Sequence, residues 1–110
     1  MSNLIKADGD SFQHEVLEAE GPVMVDFGAV WCSPCKMLDP VVDELAGEWT
    51  GAVKVVKVDI DTSPDIAFQY NIMSVPTLMV FKDGQILDRI TGYQPKERII
   101  QKFTPHFQPA

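Results

Sequence analysis

The chain has 110 residues, 45% of them hydrophobic and 23% charged, which suits one compact domain with a packed core rather than a disordered segment or a disulfide-dense scaffold. Sixteen acidic against nine basic residues give a formal charge of -7, which argues against nucleic acid and anionic membrane as partners, since their phosphates would be repelled. Met1 to Asp8 lack the apolar core of a secretory signal, and no later run is long enough to span a bilayer. The expectation is a cytoplasmic protein whose lone cysteine pair is catalytic or metal-binding rather than a permanent cross-link.

In chain order, Asn3 to Ala7 reads as a short strand. Asp10 or Ser11 caps a helix with Phe12, Val16 and Ala19 on its apolar stripe, ended by Gly21-Pro22. Val23 to Phe27 is apolar on both faces, the pattern of a strand buried between helices, and it carries one carboxylate, Asp26. From Ser33 to about Trp49, residues such as Leu38, Val42 and Leu45 recur at helical spacing. Pro34 suits the first turn of that helix and Pro40 is expected to kink it. Val53 to Val58 is another strand. Ser63-Pro64-Asp65 then opens a short helix with a cap, a first-turn proline and an acid at the positive end of the dipole, and Asn71 stops it.

Asp83-Gly84, between Thr77–Phe81 and Ile86–Ile90, predicts an antiparallel hairpin. Gln94-Pro95 opens a last helix, which turns Ile99, Ile100 and Phe103 inward and ends at Pro105. No repeat or linker interrupts this order. It predicts one α/β domain over residues 1–110, a mixed sheet covered on both faces by helices, with ligand chemistry just beyond the carboxyl ends of the parallel strands.

Both cysteines lie at such an edge, in Val30-Trp31-Cys32-Ser33-Pro34-Cys35-Lys36. With Cys32 at the amino end of a helix and Cys35 one turn in, the two sulfurs can close a disulfide with little backbone movement. The free amides of the first turn and the helix dipole favour a thiolate at Cys32, lowering its pKa from the free value of about 8.5, so Cys32 is the nucleophile. Cys35, deeper in the helix and less exposed, stays protonated until needed. Asp26 is the natural acceptor of that proton: among apolar neighbours a carboxylate loses hydration and titrates upward, with Lys57 approaching from the adjacent strand. The strand pattern equally allows a solvent-facing Asp26 and a Lys57 that merely covers a surface. A zinc site would need His14 and His106 to converge on the two cysteines, and nothing in the spacing suggests it.

Trp31-Cys32-Ser33-Pro34-Cys35-Lys36, preceded by Val25-Asp26-Phe27 and followed by Val75-Pro76-Thr77, Lys82-Asp83-Gly84 and Gly92, resembles the thioredoxin family over essentially the whole chain. The resemblance implies the thioredoxin fold, three layers α/β/α, with a central five-stranded mixed sheet flanked by four helices. It implies a monomeric protein-disulfide reductase that binds no cofactor or metal and works by dithiol–disulfide exchange. Cys35 is then the resolving cysteine, and electrons come from NADPH through thioredoxin reductase. A cis Val75–Pro76 bond beside the dithiol is implied too, with Trp31, Ser33, Pro34, Val75 and Gly92 forming a docking surface for protein disulfides.

Two rivals share the fold. A disulfide isomerase or oxidase belongs to oxidising compartments. A binding module without catalysis has no use for both cysteines together with Asp26 and Pro76. Three positions depart from the family pattern. Ser33 replaces the usual glycine, predicting a tuned potential. Gly28 stands where a tryptophan or other large residue is common, predicting looser packing or space filled by a neighbour. Asp39 replaces a small or basic residue, predicting a pair with Lys57 that weakens the coupling of Lys57 to Asp26, or else a plain surface charge beside Lys36.

Overall fold

A computed structural model describes residues 3–107; Met1 and Ser2, where the amino-terminal reading begins, lie outside that range, as do residues 108–110. Five strands, β1 (Leu4–Ala7), β2 (Pro22–Gly28), β3 (Lys54–Asp59), β4 (Thr77–Lys82) and β5 (Gln85–Thr91), form one sheet in the order β1-β3-β2-β4-β5. β1, β3 and β2 run parallel, whereas β4 is antiparallel to β2 and β5 to β4. Three helices, α1 (Ser33–Glu48), α2 (Pro64–Gln69) and α3 (Lys96–Phe103), and a single helical turn at Gln13–Leu17 cover the sheet.

The apolar character of β2 on both faces follows from this layering. Met24 points with Leu78 and Val80 into a core made with Leu38, Val42 and Leu45 of α1 and Ile99 and Phe103 of α3. Val23, Val25 and Phe27 point the other way, toward Phe12, Val16 and Ile66. Each side chain of this size removed from water contributes about 1.5–3 kcal/mol, so the two half-cores dominate the stability. On the second face Phe12, Tyr70 and Phe81 pack ring against ring, with Tyr70 and Phe81 perpendicular at 5.4 Å. At the far end of α1, Trp49 meets Phe107 edge to face, with ring centroids 4.9 Å apart.

The hairpin and stop signals act as their residues dictate. Asp83 and Gly84 both take positive φ, 53° and 77°, the conformation of a two-residue turn whose twist matches the flanking strands. Asn71 ends α2 with a φ of 55°. α1 runs through Pro40 to Glu48. α3 ends at Phe103, and Pro105 falls in a closing 3₁₀ turn, Thr104–His106.

Two local expectations are corrected. The first helix is only one turn, with the amide of Glu18 reaching Gln13 in an i to i+5 bond of 2.9 Å, and its cap is neither Asp10 nor Ser11. The Asp8 carboxylate accepts the amides of Asp10 and Ser11, both at 3.0 Å, because it stands two and three residues ahead of them. At α2 the hydroxyl of Ser63 makes no cap; it is buried without a hydrogen-bond partner among the described residues, and only the carbonyl of Ser63 enters the helix ladder.

Candidate active site

The carboxyl end of β2 delivers the chain to Ala29, and the loop from there to Trp31 turns it into α1. Cys32 has extended backbone angles, φ −92° and ψ 112°, and forms the N-cap of α1; Pro34 fills the first turn, where its missing amide hydrogen has no role. The amide of Cys35 donates to the Cys32 sulfur over 3.1 Å. That bond turns one unpaired donor of the helix terminus toward the sulfur, and a negative charge there is favoured by the dipole. The two sulfurs are joined as a disulfide, with Cα atoms 5.2 Å apart.

Around the pair, the Val75–Pro76 bond is cis, and the carbonyl oxygen of Val75 lies 3.7 Å from the Cys32 sulfur. Gly92 joins this wall through its amide, which donates to the Pro76 carbonyl at 2.8 Å; its φ of 90° suits a residue without a side chain. Trp31 is 64% exposed, yet its indole nitrogen donates to Asp61 at 2.7 Å, which fixes the ring beside the dithiol. Ser33 and Pro34 are exposed on the first turn of α1. Asp61 is a neighbour of the site that the sequence motifs do not single out, although it follows the parallel strand β3 at the same edge of the sheet as the cysteines.

Asp26 is buried, with 2% of its surface exposed, on the face of β2 that α1 covers. That decides between the two readings its strand allowed. Burial pushes its carboxyl up from 3.8 to about 7; the charge of Lys57 opposes the rise, and Asp39 and Asp43 on α1 add to it. Lys57 stands directly across from Asp26 in the β2–β3 register, but its ammonium bonds to Asp39, at 2.6 Å. Burial works against that ammonium, and the hydrogen bond and charge of Asp39 outweigh it, so Lys57 holds its proton more tightly than usual.

One expectation about the cysteines is reversed. Cys35 is not the less exposed of the two: it is 7% exposed and Cys32 4%. Val75 and Ile60 pack over the disulfide, while Gly28, beside Cys35, contributes no side chain. The space at Gly28 is not refilled by a neighbour. It is part of a cleft of about 540 Å³ lined by Asp26, Gly28, Val30, Cys35 and Lys57 among others.

The histidines lie elsewhere. His14 pairs with Glu18 and His106 with Asp88, at 3.8 and 2.9 Å. Among the described residues no group of three or more His, Cys, Asp or Glu side chains is placed to hold a metal ion, and no helix is long and apolar enough to cross a membrane.

A helix-capping dithiol beside a cis-proline wall, above a buried acid, invites comparison with known proteins. The Thioredoxin family model matches residues 3–105. The chain belongs to the thioredoxin family. It is 47% identical over 106 residues to thioredoxin 1 of Nostoc sp., covering 96% of this chain and 99% of that protein. It is 51% identical over 96 residues to thioredoxin 1 of Synechococcus elongatus, covering 87% and 90%. Against the thioredoxin of Staphylococcus epidermidis, identity is 42% over 103 residues, covering 94% and 97%. The chain is thus a thiol–disulfide oxidoreductase of the thioredoxin fold, a protein-disulfide reductase with Cys32 and Cys35 as its redox-active pair.

Proposed function

We propose that this member of the family acts as a single monomeric domain in the cytoplasm, reducing disulfides of other proteins and receiving its electrons from NADPH through a thioredoxin reductase. Cys32 is the nucleophile. In the reduced protein the amide of Cys35 and the start of α1 favour its thiolate, which attacks one sulfur of a substrate disulfide, forms a mixed disulfide and expels the other sulfur as a thiolate. Cys35 is the resolving group. Its proton passes to the Asp26 carboxylate, its thiolate attacks Cys32, and the second substrate sulfur leaves, so two electrons have moved from the dithiol to the substrate. The proton goes on to the departing thiolate.

The observation that carries this reading is the burial of Asp26 beneath Cys35 with a carboxyl that titrates at about 7, because a group half ionised near neutrality can both take and return a proton. Lys57 acts on Asp26 through its charge, restrained by Asp39. Trp31, Ser33, Pro34, Val75 and Gly92, with the cis Pro76, form the docking surface on which an extended substrate chain is held by backbone hydrogen bonds. The acid surplus keeps nucleic acids and anionic membranes off this surface.

Insulin disulfide reduction coupled to NADPH and thioredoxin reductase tests the reading, with Cys32→Ser as control. Turnover is expected in the parent and absent in the control; a parent rate no higher than that of Cys32→Ser would overturn it.

A further inference from the structure

The cleft at Gly28 shares no lining residue with the docking wall of Trp31, Ser33, Pro34, Val75, Pro76 and Gly92, and the two sulfurs divide between them. Cys35 borders the cleft and Cys32 does not; Cys32 faces Val75. A methyl group built on Gly28 would stand 3.5 Å from the Cys35 sulfur and 3.9 Å from an Asp26 carboxyl oxygen. The missing side chain at this position is therefore what leaves both groups open to the cleft.

Asp26 lines the same space: it is 2% exposed, its carboxyl makes no hydrogen bond among the described residues, and its oxygens are not among the fully buried atoms left without a partner, so the carboxyl meets the cleft. The volume, about 540 Å³, falls in the range of small-molecule sites and is too small for a folded partner. The lining carries both signs of charge, Lys6, Lys36 and Lys57 alongside Asp8, Asp26, Asp39 and Asp59, which suits a small polar molecule bearing ammonium and carboxylate groups.

We propose that this cleft is a second redox entrance, which admits a low-molecular-weight disulfide of the amino-acid type to the sulfur of Cys35 without use of the docking surface. In the reduced protein the Cys35 thiol gives its proton to Asp26 and its thiolate attacks the small disulfide RSSR. A Cys35–S–S–R bond forms, and RS⁻ leaves and takes the proton back from Asp26. The Cys32 thiolate then attacks the Cys35 sulfur, closing the protein disulfide and expelling the second RS⁻, which is protonated from water. The balance is RSSR and the dithiol giving two RSH and the protein disulfide, with no other reductant required.

This entrance presupposes the dithiol chemistry proposed above, and the two fail differently. In the Cys32→Ser protein only Cys35 remains, and L-cystine is the probe. Formation of the mixed disulfide is followed by intact-protein mass spectrometry across pH, and rates are compared on the alkaline plateau, where Cys35 is fully ionised and proton acceptance by Asp26 no longer matters. Adding Gly28→Leu to this background should slow modification about tenfold by closing the approach, with Gly28→Ala in between. Gly28→Ala keeps the test informative if the larger side chain disturbs folding, since its methyl meets its neighbours at ordinary contact distance. Plateau rates independent of residue 28 would overturn the cleft as an entrance, even with insulin reduction intact. Loss of insulin reduction in the parent, with cystine labelling still governed by residue 28, would overturn the protein-reductase reading alone.

Discussion

Replacing Asp26 with asparagine should stabilise the oxidised protein, and the gain should depend on pH in a way that isolates this one group. The carboxyl titrates near 3.8 when free and at about 7 in the fold. Between these values the folded state binds more protons than the unfolded state, so stability falls as pH rises through the interval. The loss is absent below the ordinary carboxylate range and complete above about 7. At about 1.4 kcal/mol for each pH unit, the interval from 3.8 to about 7 amounts to roughly 4 kcal/mol.

Asparagine has nearly the same shape and never ionises. The cost of burying its amide is the same at every pH, so in the difference between variant and parent it is a constant offset, while the other titrating groups, common to both proteins, cancel. Urea unfolding of both proteins from pH 4 to pH 8.5 is the assay. With a denaturant dependence of about 2 kcal/mol per molar urea for a chain of this size, the separation of the two midpoints should widen by about 2 M from the acid end to the alkaline end. A separation that stays constant over this range would show that Asp26 is not desolvated in the fold and would remove the basis for its role as proton acceptor.

The same pH series applied to Asp39→Ala should move the Asp26 transition to lower pH, since the substitution deletes a charge that raises Asp26 and frees Lys57 to approach it; an unmoved transition would leave Asp39 as a surface charge only. Ser63→Ala should be neutral or stabilising by about 1 kcal/mol, because the hydroxyl is fully buried with no partner among the described residues and its removal strands nothing. A calorimetric melting temperature several degrees below the parent would show that the hydroxyl is satisfied after all.

Much of this architecture is legible in the residues because the signals are local. The two-faced hydrophobicity of Val23 to Phe27 reports a strand covered on both sides, and Asp83-Gly84 and Asn71 mark their turns through backbone conformations that few residues accept. What the residues leave open depends on neighbours far away in sequence. Asp26 could face solvent or core, and the covering of its face by α1 decides it. The relative exposure of the two cysteines also reverses because Val75, some forty residues on, lies over Cys32, while Gly28 withholds cover from Cys35. The turn closed by Asp8 escapes because three polar residues stand close together and only the actual turn geometry selects among them.

The placing of the two tryptophans gives the molecule a pair of built-in optical reporters. Trp31 stands in solvent just ahead of the first turn of α1, tethered by Asp61, and Trp49 closes the other end of that helix against Phe107. Sixteen residues of helix separate them, a length of about 24 Å. Emission from the first ring therefore responds to occupancy or oxidation at the dithiol, and emission from the second to loosening of the core. With either indole changed to phenylalanine, binding and unfolding become separately visible in an unlabelled sample.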